Sequence, residues 1–92
     1  MILSINLGRG KNKELNDLID TLVGVKTKEE MLDFLEGILT PKELLEIPNR
    51  LKIIKMLKKG VSQHEVAGKL GVGIATVTRG SKELQNGRFQ NV

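Results

Sequence analysis

The sequence predicts an all-α fold, and three observations carry that expectation. Apolar residues recur at steps of three and four along successive stretches of the chain. Start signals, a hydroxyl residue followed three positions later by glutamate, stand at 27/30, 40/43 and 62/65. No stretch shows the apolar–polar alternation of a half-buried strand.

The elements follow in order. Residues 1–10 hold Gly8 and Gly10 and no period, which predicts a flexible amino-terminal arm. Leu15, Leu18, Ile19 and Leu22 mark a first helix that Gly24 ends. Thr27 and Glu30 form a capping box for a second, with Met31, Phe34, Leu35 and Ile38 as its apolar face. Thr40, Pro41 and Glu43 supply cap, first-turn proline and acid for a third, which runs to about Lys59 and stops at Gly60. Ile47, Leu51, Ile54 and Leu57 are its expected buried stripe. Pro48 lies inside it and is expected to kink or interrupt it, because proline removes a hydrogen bond and clashes with the preceding turn.

Ninety-two residues make one domain with a thin core, so a second chain is expected to complete it. The division read from the sequence is a flexible arm at 1–10, a helical dimerisation core at 11–60, a reading head at 61–84 and a polar tail at 85–92. The chain has no cysteine, which excludes a disulfide framework and a thiolate metal site and suits a cytoplasmic protein. The apolar runs are too short to span a membrane, and Met1–Gly10 lacks the cationic start and long apolar stretch of a signal peptide.

Charge is placed unevenly. Residues 1–48 carry six Lys/Arg and nine Asp/Glu, whereas residues 49–92 carry nine and two, a net of +7. Such asymmetry points to a polyanionic partner for the second half. With no Trp or Tyr, and only Phe34 and Phe89, base stacking on a single strand is disfavoured. His64 is the only histidine and has no metal-ligand companions. No nucleophile–base pair, phosphate loop or paired carboxylates can be found, so neither an enzyme nor a metal site is expected.

Val61 to Leu84 reads VSQHEVAGKLGVGIATVTRGSKEL. Ser62 caps a helix and Glu65 is expected to complete its box. Val66, Ala67 and Leu70 give a short apolar face, Gly71 permits a tight turn, and Gly73 precedes a last helix with Val77 and Leu84 inward. A small residue, a glycine four on and a β-branched residue six further on form the helix-turn-helix pattern. A plain helical hairpin is the structural alternative. Ile74, Ala75, Thr78 and Lys82 share the face left outward. Thr78 can donate or accept at a base edge, and Ile74 or Ala75 can pack on a thymine methyl. The DNA-contacting candidates are Gln63, His64, Gly73, Ile74, Ala75, Thr76, Thr78 and Lys82. Lys58, Lys59 and Lys69 are further phosphate candidates.

GVGIATVTRGSKEL, preceded by SQHEVAGKL, resembles the reading head of the tryptophan repressor family. LTPKELLEIPNRLKIIKMLKKG resembles that family's turn and long central helix. The likeness covers about residues 37–84, and ATVTRGS is its most specific part. The tryptophan repressor is itself a standard example of helix-turn-helix docking. The resemblance implies an intertwined homodimer that binds a palindromic double-stranded DNA operator, with L-tryptophan as corepressor. It further implies that Arg50 and Arg79 sandwich the indole and that Arg79 holds the carboxylate. Thr40 of the other subunit would bond the carboxylate, and Leu39 and Gly37 would offer carbonyls to the ammonium. Gly80 would leave room for the ring, and Ile54 would pack on it. The chemistry suits these roles, since arginine both stacks on aromatic planes and binds carboxylates bidentately.

Several positions depart from the family pattern. Glu83 stands where the family's best-known members have serine; it is expected to face the ligand ammonium and, four residues from Arg79, to pair with that guanidinium when the site is empty. Pro48 falls in a helix that is normally continuous, and Ala67 replaces a basic residue. The polar QNGRFQNV follows Leu84 where the family has a final helix. Two other readings stay open on sequence: a DNA-binding regulator of the same fold with another ligand or none, and an antitoxin-like interaction module.

Overall fold

In the computed structural model, which describes residues 12–92, five helices follow one another and no strand occurs among the described residues. The arm expected at residues 1–10 lies outside the described residues. Helix α1 spans Lys13–Gly24, α2 Lys28–Ile38, α3 Pro41–Lys58, α4 Gln63–Leu70 and α5 Ile74–Gln85.

The starts are chemically explicit. Asn12 caps α1, its Oδ1 accepting the Leu15 N–H at 2.9 Å. Thr27 and Glu30 close a reciprocal box on α2, and Thr40 and Glu43 do so on α3. Ser62 accepts the Glu65 N–H at 3.2 Å, but the expected box is only half made. The Glu65 carboxylate turns instead to Lys69, 3.3 Å away. The ends of α3 and α4 share one motif. After α3, Gly60 donates to the Leu57 carbonyl and Val61 to that of Met56. After α4, Gly71 takes the left-handed conformation at φ 66°, and Val72 donates to the Ala67 carbonyl.

Pro48 does not interrupt α3, which is one helix of 18 residues. A proline costs a helix its own N–H and crowds the preceding turn, but the remaining hydrogen bonds and the packing downstream carry the helix through.

The chain divides into two compact units, Met1–Leu39 and Thr40–Val92. In the second, α3, α4 and α5 pack on one another. Their core is Ile53, Val66 and Val77, surrounded by Met56, Leu57, Val61, Ala67, Leu70 and Val72. The stripe expected on α3 is therefore met only in its second half, where Ile54 is buried and Leu57 packs on the core. Ile53 and Ile54 are the buried pair, whereas Ile47 and Leu51 are 44% and 45% exposed. A single stripe assumes one packed side, but α4 and α5 cover adjoining sides of α3. In the first unit, neither α1 nor α2 buries any residue within this chain.

Candidate functional site

The helix-turn-helix is held by more than its apolar seam. Thr78 Oγ1 donates to Gln63 Oε1 at 2.7 Å, across 15 residues and half out of water. This bond ties the first turn of α4 to the middle of α5. It also corrects the expectation of a free Thr78: its proton is engaged and only its acceptor lone pairs remain for a partner. Ile74, Thr76, Lys82, His64 and Gly73 are exposed. Gly73 caps α5 without a side-chain bond, so first-turn N–H groups are left for other acceptors. Of the phosphate candidates, Lys59 and Lys82 are exposed, Lys69 faces Glu65, and Lys58 is committed elsewhere: its Nζ donates to the carbonyls of Phe89 and Val92 at 2.7 and 2.6 Å.

Between α3 and α5 lies a cavity of about 550 Å³, within the size range of small-molecule sites. Helix α3 lends Ile47, Arg50, Leu51, Ile53 and Ile54; α5 lends Ala75, Thr76, Arg79, Gly80 and Glu83. The last wall is Phe89. Five of the eight residues assigned to ligand binding are thus brought together: Arg50, Ile54, Arg79, Gly80 and Glu83. Gly37, Leu39 and Thr40 do not line this cavity. Ala75 and Thr76, assigned to DNA, do. A broader and more open depression, about 630 Å³, sits at the α1–α2 turn beside Asp20, Glu29, Glu30 and Asp33. Four carboxylates stand along it, and among the described residues no group of three or more ligands could hold a metal ion.

The chemistry of the α3–α5 cavity is mixed by design of its two helices. Aliphatic side chains form the floor, and one guanidinium from each helix stands at the exposed rim. An ideal Cβ on Gly80 would come within 3.0 Å of Ile54 Cδ1 and 3.4 Å of Ile53 Cγ2. The missing side chain of Gly80 therefore permits the close crossing of α3 and α5 beside the cavity that Gly80 also lines.

Glu83 is the clearest change of role. Its Oε1 accepts from Arg88 Nε at 2.7 Å, and no ion pair joins it to Arg79 among the described residues. The polar segment after α5 is accordingly tied back to that helix. It folds back, and Phe89 reaches the cavity. Sequence reasoning passed over Phe89; the one signal available was an aromatic residue alone in a polar stretch.

At Thr40, Oγ1 accepts the Glu43 N–H at 3.2 Å while Glu43 Oε1 accepts the Thr40 N–H at 2.8 Å. The Thr40 backbone N–H first, and the Thr40 hydroxyl second, hold the Glu43 carboxyl below its ordinary pKa.

A family model described as Trp repressor protein matches residues 13–91. Proteins named "Trp operon repressor homolog" from Vibrio vulnificus (strain YJ016), Vibrio campbellii (strain ATCC BAA-1116) and Vibrio parahaemolyticus serotype O3:K6 are each 53% identical over 38 residues. That stretch is 40% of this chain and 37–38% of theirs, so the match spans well under half the length of these relatives.

Proposed function

Because the chain belongs to the Trp repressor protein family, and so is a regulator of that type, we propose that it is a sequence-specific transcriptional repressor that binds duplex DNA through α4 and α5. In this reading it acts as a homodimer with L-tryptophan as corepressor. The single observation that carries the ligand half is the α3–α5 cavity, where Arg50 and Arg79 face one aliphatic floor. A flat apolar side chain suits the floor, and a carboxylate suits a guanidinium fork. Gly37, Leu39 and Thr40 would complete the polar shell, with Thr40 contributed by a second chain.

The DNA half is supported by the helix-turn-helix geometry and by the +7 net charge of residues 49–92. Gln63, His64, Gly73, Ile74, Ala75, Thr76, Thr78 and Lys82 form the proposed contact surface. Ile74 reads bases by apolar contact, Lys82 neutralises phosphate, and the open first turn of α5 receives a phosphate oxygen. Thr78 acts as an acceptor while Gln63 holds it. A ligand between α3 and α5 touches the same helix that presents Ile74, so it can brace α5. Repression follows only if the ligand prefers the DNA-competent orientation over the others. No helix among the described residues is long and apolar enough to cross a membrane, and a cytoplasmic site of action is part of the proposal.

The test is anisotropy titration of a palindromic duplex with half-sites roughly 34 Å apart, the spacing of helix-turn-helix dimers, for which the tryptophan repressor is an example. L-tryptophan is expected to raise affinity, and affinity is to fall steeply with salt, about 0.9 log units per log unit for each phosphate contacted. A flat salt response would remove the DNA reading. Salt-sensitive binding that ignores L-tryptophan would leave a DNA-binding regulator of this fold with a different ligand, an outcome favoured by the engagement of Glu83 with Arg88.

A further inference from the structure

We propose that residues 87–92 form a latch that holds Phe89 as the aromatic wall of the α3–α5 cavity, making Phe89 a specificity-determining residue for a flat aromatic ligand. The inference rests on the reading of that cavity as an amino-acid site.

Three separate restraints bring Phe89 to the cavity. The first is backbone. Gly87 turns the chain at φ 90°, its N–H donating to the Leu84 carbonyl and that of Arg88 to the Glu83 carbonyl. The second is ionic: Arg88 Nε lies 2.7 Å from Glu83 Oε1, one side chain on the latch and one on α5. The third crosses to α3, where Lys58 Nζ donates to the Phe89 and Val92 carbonyls at 2.7 and 2.6 Å. The latch is thus fastened to both helices that build the cavity. Phe89 itself sits at φ 63°, the one non-glycine residue with positive φ among those described. A side chain with a Cβ is disfavoured there, and such a conformation persists where its surroundings over-determine it.

The chemistry follows from what else lines the cavity. Ile47, Leu51, Ile53 and Ile54 supply aliphatic surface, which accepts branched and flat side chains alike. The two guanidiniums can bind the carboxylate of any amino acid, and their planes can also stack on an aromatic ring. The Phe89 ring is the one aromatic side chain of the lining, and it adds edge-to-face or offset contact that aliphatic ligands do not make. Glu83, Arg88 and Lys58 are positioning residues, acting through Phe89.

The experiment compares the full chain with Phe89→Ala, Phe89→Leu, Lys58→Met and Lys58→Arg. Calorimetric titrations use L-tryptophan and L-leucine, and methyl NMR follows the ring-current shifts of Ile47, Leu51 and Ile54. Phe89→Ala is expected to weaken L-tryptophan about tenfold, as loss of a buried aromatic contact does. Phe89→Leu keeps apolar bulk and is expected to narrow the tryptophan-over-leucine preference several-fold. Lys58→Met should move the methyl shifts toward their Phe89→Leu values and weaken L-tryptophan, and Lys58→Arg, which keeps a donor, should restore both. Parent-like affinity and selectivity in both Phe89 variants, or unmoved methyl shifts in Lys58→Met, would overturn the inference while leaving the amino-acid site standing. A parent chain that binds neither amino acid would overturn the site reading, and the ligand role of Phe89 with it.

Discussion

Thr40 and Glu43 show how much one turn of helix asks of two side chains. The first N–H groups of α3 have no intrahelical partner, and Thr40 satisfies one of them with its hydroxyl oxygen. Glu43 returns the bond to the Thr40 N–H. Because that carboxylate accepts in its charged form, its pKa is lowered in the folded chain. The stabilisation is then fully present above the ordinary carboxylate range and is lost as pH falls through the depressed value. An NMR titration should find Glu43 ionising below a free glutamate. Thr40→Ala keeps the backbone N–H but loses the hydroxyl, so it should return the titration only part of the way and cost about 1 kcal/mol of stability in denaturant unfolding. An unchanged Glu43 titration in that variant would show that the Thr40 hydroxyl contributes nothing to it.

At the scale of elements, the crossing of α3 and α5 decides both core and cavity. Gly80→Ala should gain up to about 1 kcal/mol of helix propensity and lose about 1–3 kcal/mol to overpacking against Ile54. Its stability should therefore fall, by up to about 2 kcal/mol, while ligand affinity drops as the two helices part. Parent-like ligand affinity would mean the crossing distance does not shape the site. These elements were readable to different depths. Start and stop chemistry is local, so Thr27–Glu30, Thr40–Glu43, Gly60 and Gly71 could be placed from sequence spacing alone. The capping role of Asn12 was as local but fell at the edge of the expected arm. Ile53 was missed because α3 is covered on adjoining sides, which a single apolar stripe does not describe. The Gln63–Thr78 bond and the Lys58–Phe89 bond join residues 15 and 31 apart. No periodicity encodes such pairs, so Thr78 was read as free, and Phe89 as tail. Arg50, Ile54, Arg79, Gly80 and Glu83 were found through family resemblance, not from spacing.

For the whole molecule, the largest unmet demand is apolar surface. Neither α1 nor α2 buries a residue within the chain. Val23, Leu32, Ile38 and Leu45 are 79%, 55%, 53% and 75% exposed. Leaving such side chains in water forgoes about 1.5–3 kcal/mol for each that could be fully buried, which is the physical case for a second copy. Sedimentation equilibrium at micromolar concentration should give a dimer, and Leu45→Glu together with Leu32→Glu should shift it toward monomer. A folded, stable parent monomer would refute this. Pro48 adds a consequence of a different kind. Having no N–H, it cannot bond the Leu44 carbonyl inside α3, so the helix is weakest one turn upstream, while Ile53 and Ile54 anchor the downstream half. The amides of residues 44–47 should exchange with solvent through small openings that leave those of 51–57 protected, and uniform protection along α3 would contradict it. One continuous helix would then melt as two, and a disturbance arriving at its first turns would be damped before it reached the reading head.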